Sequence, residues 1–112
     1  TKNQKRQLKS IEYKGYTIYI GRNNIENDKL TFEIANKNDL WFHAKDVPAS
    51  HVILVGKNPS EDVIYYTAKI AGEHSKSDGH IEVHYCLIKN VKKIAHAKKG
   101  QVTYTNYQTI KV

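Results

Sequence analysis

Between Asp39 and His51 the sequence DLWFHAKDVPASH places two histidines, two aspartates, a serine and a tryptophan within thirteen residues. Hydrolases, metal sites and RNA-gripping surfaces all use these residue types, and spacing decides among them. Asp46, Ser50 and His51, with His43 as a spare base, invite a nucleophile reading. A serine nucleophile needs a strained elbow such as G-x-S-x-G, an oxyanion hole and a base brought from elsewhere in the chain. Here serine and histidine are adjacent, follow a Pro-Ala turn and have no glycine-rich element beside them. If SHVIL is a strand, the two side chains point to opposite faces, so no catalytic residues are assigned.

The six histidines raise the question of metal, and HIEVH (His80–His84) has the i, i+4 spacing of a helical chelator. That spacing chelates only on a helix, where both rings share a face. On a strand the two would stand about 13 Å apart. No Cys-x-x-Cys is present, and no metal or other cofactor is expected. GRNN (Gly21–Asn24) is not a Walker or Rossmann phosphate loop, since Gly21 stands alone. Arg22 beside Asn23 and Asn24 can still donate to phosphate or to a base edge, or the asparagines can cap the next element. Tyr13 lies beside Lys14, and Tyr104 and Tyr107 follow Lys98 and Lys99. Aromatic faces among cations suit unpaired RNA bases, although tyrosine is also ordinary strand packing material.

The 112 residues make one domain, with a net charge of +7 that is unevenly placed. After Glu82 there is no acidic residue, while Lys89, Lys92, Lys93, Lys98, Lys99 and Lys111 follow. Such asymmetry favours a polyanionic partner on one side of the fold. No apolar run approaches the roughly 20 residues that a membrane helix needs. The single cysteine, Cys86, cannot form an internal bridge. Methionine is absent and the opening TKNQKRQLKS is polar. Residues 1–12 are therefore expected to end a preceding linker or coiled coil, with the domain proper at 13–112.

The elements that must position these residues follow from periodicity. YKGYTIYIG alternates as a strand. Asn27 or Asp28 is a candidate cap for a short helix ending near Asn36, although Leu30, Phe32 and Ile34 fit a strand equally well. Asp39, Trp41 and His43 share one face of an extended segment, with Leu40, Phe42 and Ala44 on the other. Pro48 breaks it and SHVILV resumes as a second strand. Asn58 as cap, Pro59 at the first helical position and Glu61 in a capping box start a long helix. Its buried stripe is Val63, Ile64, Thr67, Ile70 and Ala71. HIEVHYCLI reads as a strand, and the C-terminal residues as a short strand, a basic loop and one or two strands turning at Asn106. The expected class is α+β, a mainly antiparallel sheet with one long and one short helix.

At GRNNIENDKLT, DLWFHAKDVPASHVIL, Ser75–Lys76 and VKKIAHAKKGQVTY the sequence resembles the NFACT-R domain, across nearly the whole chain from Gly15 onward. This is the RNA-binding domain of the NFACT family of RqcH-type ribosome-quality-control factors. The resemblance implies a non-catalytic, cytoplasmic module near the C-terminal end of a longer protein. It implies binding to tRNA and rRNA on a large ribosomal subunit carrying an obstructed peptidyl-tRNA, in support of alanine tailing of the stalled chain. An older family label, fibronectin- or fibrinogen-binding protein, supplies the alternative of a surface adhesion module. The positions matching the family pattern include Arg22, Asn23, Asn24, Asn27, Asp28, Asp39, Trp41, His43, Lys45, Asp46, Ser50, His51, Lys92, Lys93 and Lys98. For RNA, Lys92, Lys93, Lys98 and Lys99, helped by Arg22 and Lys45, are expected to neutralise phosphates. Trp41 and His43, beside Asp39, would supply stacking and hydrogen-bonding groups. Ala49 stands where the pattern has Gly, and His96 and Lys99 where it has Gly and Pro, which alters the expected shape of both loops.

Overall fold

A computed structural model describes residues 8–45, 49–75, 81–94 and 101–112. The first hairpin pairs β1 (Lys9–Tyr13) with β2 (Tyr16–Ile20). Its two-residue turn, Lys14–Gly15, holds φ at 49° and 84°, the left-handed pair that matches the twist of the flanking strands. β1 thus begins within the residues that the sequence assigned to a preceding segment. Next come helix α1 (Asn24–Lys29), a wider π-helical turn (Leu30–Ile34), β3 (Leu40–Ala44) and β4 (Val52–Val55). After the long helix α2 (Glu61–Glu73) follow β5 (Glu82–Leu87), a 3₁₀ turn (Ile88–Asn90), β6 (Val91–Lys93), β7 (Val102–Tyr104) and β8 (Gln108–Lys111). The fold is α+β. Six strands form one antiparallel sheet in the order β1-β2-β4-β3-β5-β8, and β6 and β7 form a separate antiparallel pair.

Strand alternation divides the sheet into two buried faces. Ile18, Ile20, Leu40, Phe42, Val52, Leu54 and Val83 pack with Val63, Ala68, Ile70 and Ala71 of α2. On the opposite face Tyr19, Trp41, Ile53 and Cys86 pack with Leu30, Ile88, Val91, Val102 and Tyr104. That second face is covered by the 24–34 helical segment and by the β6–β7 hairpin.

The start of α2 differs from the sequence expectation, and α1 follows the alternative in which the asparagines of GRNN cap the next element. α1 begins one turn earlier than a cap at Asn27 or Asp28 would give. Asn23 is the cap, accepting from Glu26 N–H at 2.9 Å, and the helical segment ends at Ile34, near Asn36 as expected. α2 begins at Glu61, with Ser60 as its extended N-cap. Asn58 cannot cap it because its φ is 50° and its carbonyl, like that of Lys57, accepts from the Tyr16 hydroxyl. Pro59 is left outside the helix. Val63, Thr67, Ile70 and Ala71 are buried as expected, Ala68 joins them, and Ile64 is half-buried. Asn106 does sit at a turn with positive φ, 53°.

Candidate nucleic-acid interface

The second sheet face carries the unusual chemistry. Gly21 follows β2 and donates its N–H to His51 O at 3.0 Å. His51 N–H in turn donates to Asn27 Oδ1 at 3.1 Å, reaching from the start of β4 to α1. A Cβ on Gly21 would lie 1.9 Å from that same Asn27 Oδ1, so only glycine lets the clip close. Thr31 Oγ1 and His51 Nδ1 are hydrogen-bonded at 2.9 Å. Asn27, Thr31 and His51 are all buried, and pairing these groups offsets the cost of taking them out of water.

Around this clip lies a run of rings. Trp41 and His43 stack in parallel at 5.6 Å, and the His51 ring stands edge-on to both, at 5.1 and 5.4 Å. Tyr104 of β7 leans on Trp41 at 4.7 Å and its hydroxyl is hydrogen-bonded to His84 Nδ1 at 2.9 Å. Tyr107 stacks on His84 at 4.2 Å and is 47% exposed, so the run leads from the core to solvent. Trp41 is 0% exposed, and its indole Nε1 has no hydrogen-bond partner among the described residues. Ring packing alone holds it, and it presents no open face to a base. Burial pushes the His43 imidazole below its ordinary pKa, and the facing His84 adds to the effect. Cys86, on the same face, is a buried thiol pushed up to about 11 by burial.

The remaining sequence-predicted residues fall at several places. Arg22 is exposed but paired with Glu26, Nη2 to Oε2 at 2.7 Å and Nε to Oε1 at 2.9 Å. Asn23 is the α1 cap, and Asn24 is exposed in the first turn. Asp39 does not join the Trp41–His43 stack. It precedes β3 and accepts from Asn36 N–H at 2.8 Å. Lys45, just after β3, pairs with Glu82 at 3.3 Å. Ser50 is half-buried and its N–H donates to His74 O at 3.4 Å. Lys93 bridges the hairpin to α1 through Asp28 at 3.2 Å and lies 5.0 Å over the Phe32 ring. Lys92 is exposed and makes no ion pair among the described residues. Asp46, Lys98 and Lys99 lie outside the described residues, as does His80.

Trp41, His43 and His51 are therefore brought together, with the lysine-bearing hairpin over the same sheet face. Sequence reasoning quoted Thr31 at the end of GRNNIENDKLT without giving it a role, and it missed the joining of His84 to Tyr104 and Tyr107. Those rings were visible as histidines and cation-flanked tyrosines, but their meeting depends on strand order. Among the described residues no helix is long and apolar enough to cross a membrane.

Comparison with known proteins agrees with this layout. The chain is 42% identical over 98 residues to the Rqc2 homolog RqcH of Streptococcus pneumoniae, covering 85% of this chain and 18% of that protein. It is 41% identical to the Rqc2 homolog RqcH of Bacillus subtilis, covering 86% and 17%. The chain thus spans under a fifth of the length of these relatives. A solved structure, the C-terminal part of the fibronectin/fibrinogen-binding protein from Streptococcus suis, superposes with a TM-score of 0.87 at 37% identity. That match covers 94% of this chain and 44% of the other. A family profile described as the NFACT protein RNA binding domain matches residues 7–106, and the chain belongs to that family of RNA-binding domains.

Proposed function

We propose that this domain grips tRNA and rRNA for a longer, cytoplasmic ribosome-quality-control factor. The factor would act on a large subunit holding an obstructed peptidyl-tRNA and support alanine tailing of the stalled chain. The observation that carries this reading is the exposed lysine pair of β6, laid over the ring-bearing face of a domain whose family binds RNA. Lys92 is available to phosphate. Lys93 is itself exposed, but reaches phosphate only by leaving the largely buried Asp28 carboxylate. Tyr107 offers an exposed ring backed by His84, suited to an unpaired base. Arg22 and Lys45 reach phosphate only by loosening Glu26 and Glu82.

A filter-binding titration of the domain with tRNA at rising salt tests this. Binding at low salt should weaken steeply as salt rises, since each neutralised phosphate releases counterions. No binding at low salt, or a flat response, contradicts the reading. The name of the S. suis structure supports a second reading, adhesion to fibronectin or fibrinogen. Saturable binding of the domain to immobilised fibronectin, unaffected by competing tRNA, would favour it instead.

A further inference from the structure

A groove of about 870 Å³ opens at the end of the sheet where β3 starts and β5 finishes, on the α2 side. A smaller hollow of about 480 Å³ shares Leu40, Tyr85, Leu87 and Gln108 with it. None of the chemistry described above uses this groove, yet it is firmly built. On one side the loop after β4 is fixed by Tyr16, whose hydroxyl donates to Lys57 O at 2.8 Å and Asn58 O at 3.2 Å. Gly56 there has φ +145°, and a Cβ would lie 2.2 Å from the Tyr16 ring. On the other side Asp39 N–H donates to Asn36 O at 2.9 Å, and Ile88 N–H donates to Asp39 O at 2.9 Å.

Asp39 is the notable lining group. It is 6% exposed, and its Oδ2 accepts from Asn36 N–H at 2.8 Å while no hydrogen bond engages Oδ1 among the described residues. A carboxylate oxygen open to the groove selects a partner with N–H donors, because covering it unpaired would be costly. The surroundings specify the partner further. Leu40, Ile64, Leu87 and Tyr85 give apolar walls for a flat heterocycle, and Asn38, Asn58 and Gln108 add amides that pair with base edges. Lys57 stands on one rim and Lys89 on the other, both exposed and suited to the phosphates on either side of a base. Lys89 N–H donates to Lys37 O at 3.1 Å, which brings a third lysine to that rim. Lys89 also lies two residues before β6, so chain continuity links this rim to the hairpin that bears Lys92 and Lys93.

We propose that this groove takes one unpaired base of the bound RNA, a guanine, with Asp39 Oδ1 accepting from its N1–H and N2–H₂ donors. Guanine is the base whose Watson–Crick edge sets an imino and an amino donor side by side. Adenine offers a single amino group beside an acceptor that a carboxylate repels. The proposal rests on the RNA-binding reading above and adds base selection to it. The test uses uridine decamers with one central guanosine, inosine or adenosine, titrated against the domain by fluorescence anisotropy. The guanosine oligomer should bind about tenfold more tightly than the adenosine one, within the range for a well-placed pair of hydrogen bonds. Inosine, lacking the amino group, should fall between. Asp39→Asn keeps an acceptor for Asn36 N–H, and should abolish the ranking while all three oligomers still bind. In the unaltered protein, the side-chain amide resonances of Asn38, Asn58 and Gln108 should shift with the guanosine oligomer. Equal, salt-sensitive binding of all three oligomers overturns the groove assignment and leaves RNA binding standing. Absence of binding by any oligomer and by tRNA overturns both.

Discussion

The two faces of the six-stranded sheet are buried by different means. Beneath α2 the contacts are between apolar side chains, with Ile18, Ile20, Phe42, Val52 and Leu54 meeting Val63, Ile70 and Ala71. On the other face Asn27, Thr31, His51 and His84 are buried beside Trp41 and Leu30, and each is held by a specific hydrogen bond. Burial of the first kind depends on volume and is tolerant of shape. Burial of the second kind depends on geometry, because a misplaced polar group keeps its desolvation cost and loses its partner. The residues that resemble the family pattern, Gly21, Asn23, Asn27, Trp41, His43 and His51, gather on this second face. The face that supports the lysine hairpin is thus the one whose geometry is most tightly specified.

The largest expected effect shows what the faces share. Phe42→Ala on the α2 side and Trp41→Ala on the ring side should each cost about 3–5 kcal/mol in urea unfolding, as large aromatic truncations in cores do. A cost well below that for Trp41→Ala would mean that the ring face contributes little to stability. A smaller pair of changes should separate the faces. Gly21→Ala adds one methyl group against Asn27 Oδ1 and should break the clip to His51 N–H, costing about 1–3 kcal/mol. Ile18→Val removes one methylene from the apolar face and should cost about 0.5–1.5 kcal/mol. Equal or reversed costs would contradict the distinction.

A gentler contrast is in pH dependence. His43 has a lowered pKa in the fold, so below the ordinary histidine value of about 6.5 the unfolded chain binds the proton more readily than the native one. Its effect is absent at high pH. Stability should fall as pH drops below about 6.5 and level off once pH passes the lowered native pKa. Stability curves at pH 7.5, 6 and 5 for the unaltered protein and for His43→Phe would check this, the variant being expected to show the shallower decline.

The period-two pattern of LWFHA was enough to place Trp41 and His43 together and to set Phe42 against the helix, because alternation is intrinsic to a strand. The buried stripe of α2 was legible for the same reason, through its own period. Caps were harder, since Asn23, Asn27 and Asp28 all qualify locally, and only the burial of Asn27 under His51 leaves Asn23 as the cap. At α2 the sequence favoured Asn58 and Pro59, but the Tyr16 hydroxyl from a distant strand fixes that loop and delays the helix to Glu61. Long-range pairing also decided the site. Nothing local to Thr31 points to His51, and nothing local to His84 points to Tyr104, because both meetings depend on which strands neighbour one another. Lys98 and Lys99, expected to add phosphate contacts, lie outside the described residues and stay part of the proposal.

The central claim is that the lysine hairpin over the ring face carries phosphate contacts and the exposed side of α2 does not. The direct measurement is the slope of log affinity for tRNA against log salt in three proteins: the unaltered domain, Lys92→Ala with Lys93→Ala, and Lys69→Ala on the exposed side of α2. Loss of the hairpin pair should reduce the slope by about 1.4–1.8, two phosphates' worth of released counterions, and Lys69→Ala should leave it unchanged. An unchanged slope in the hairpin variant, or an equal loss on removing Lys69, would contradict the account.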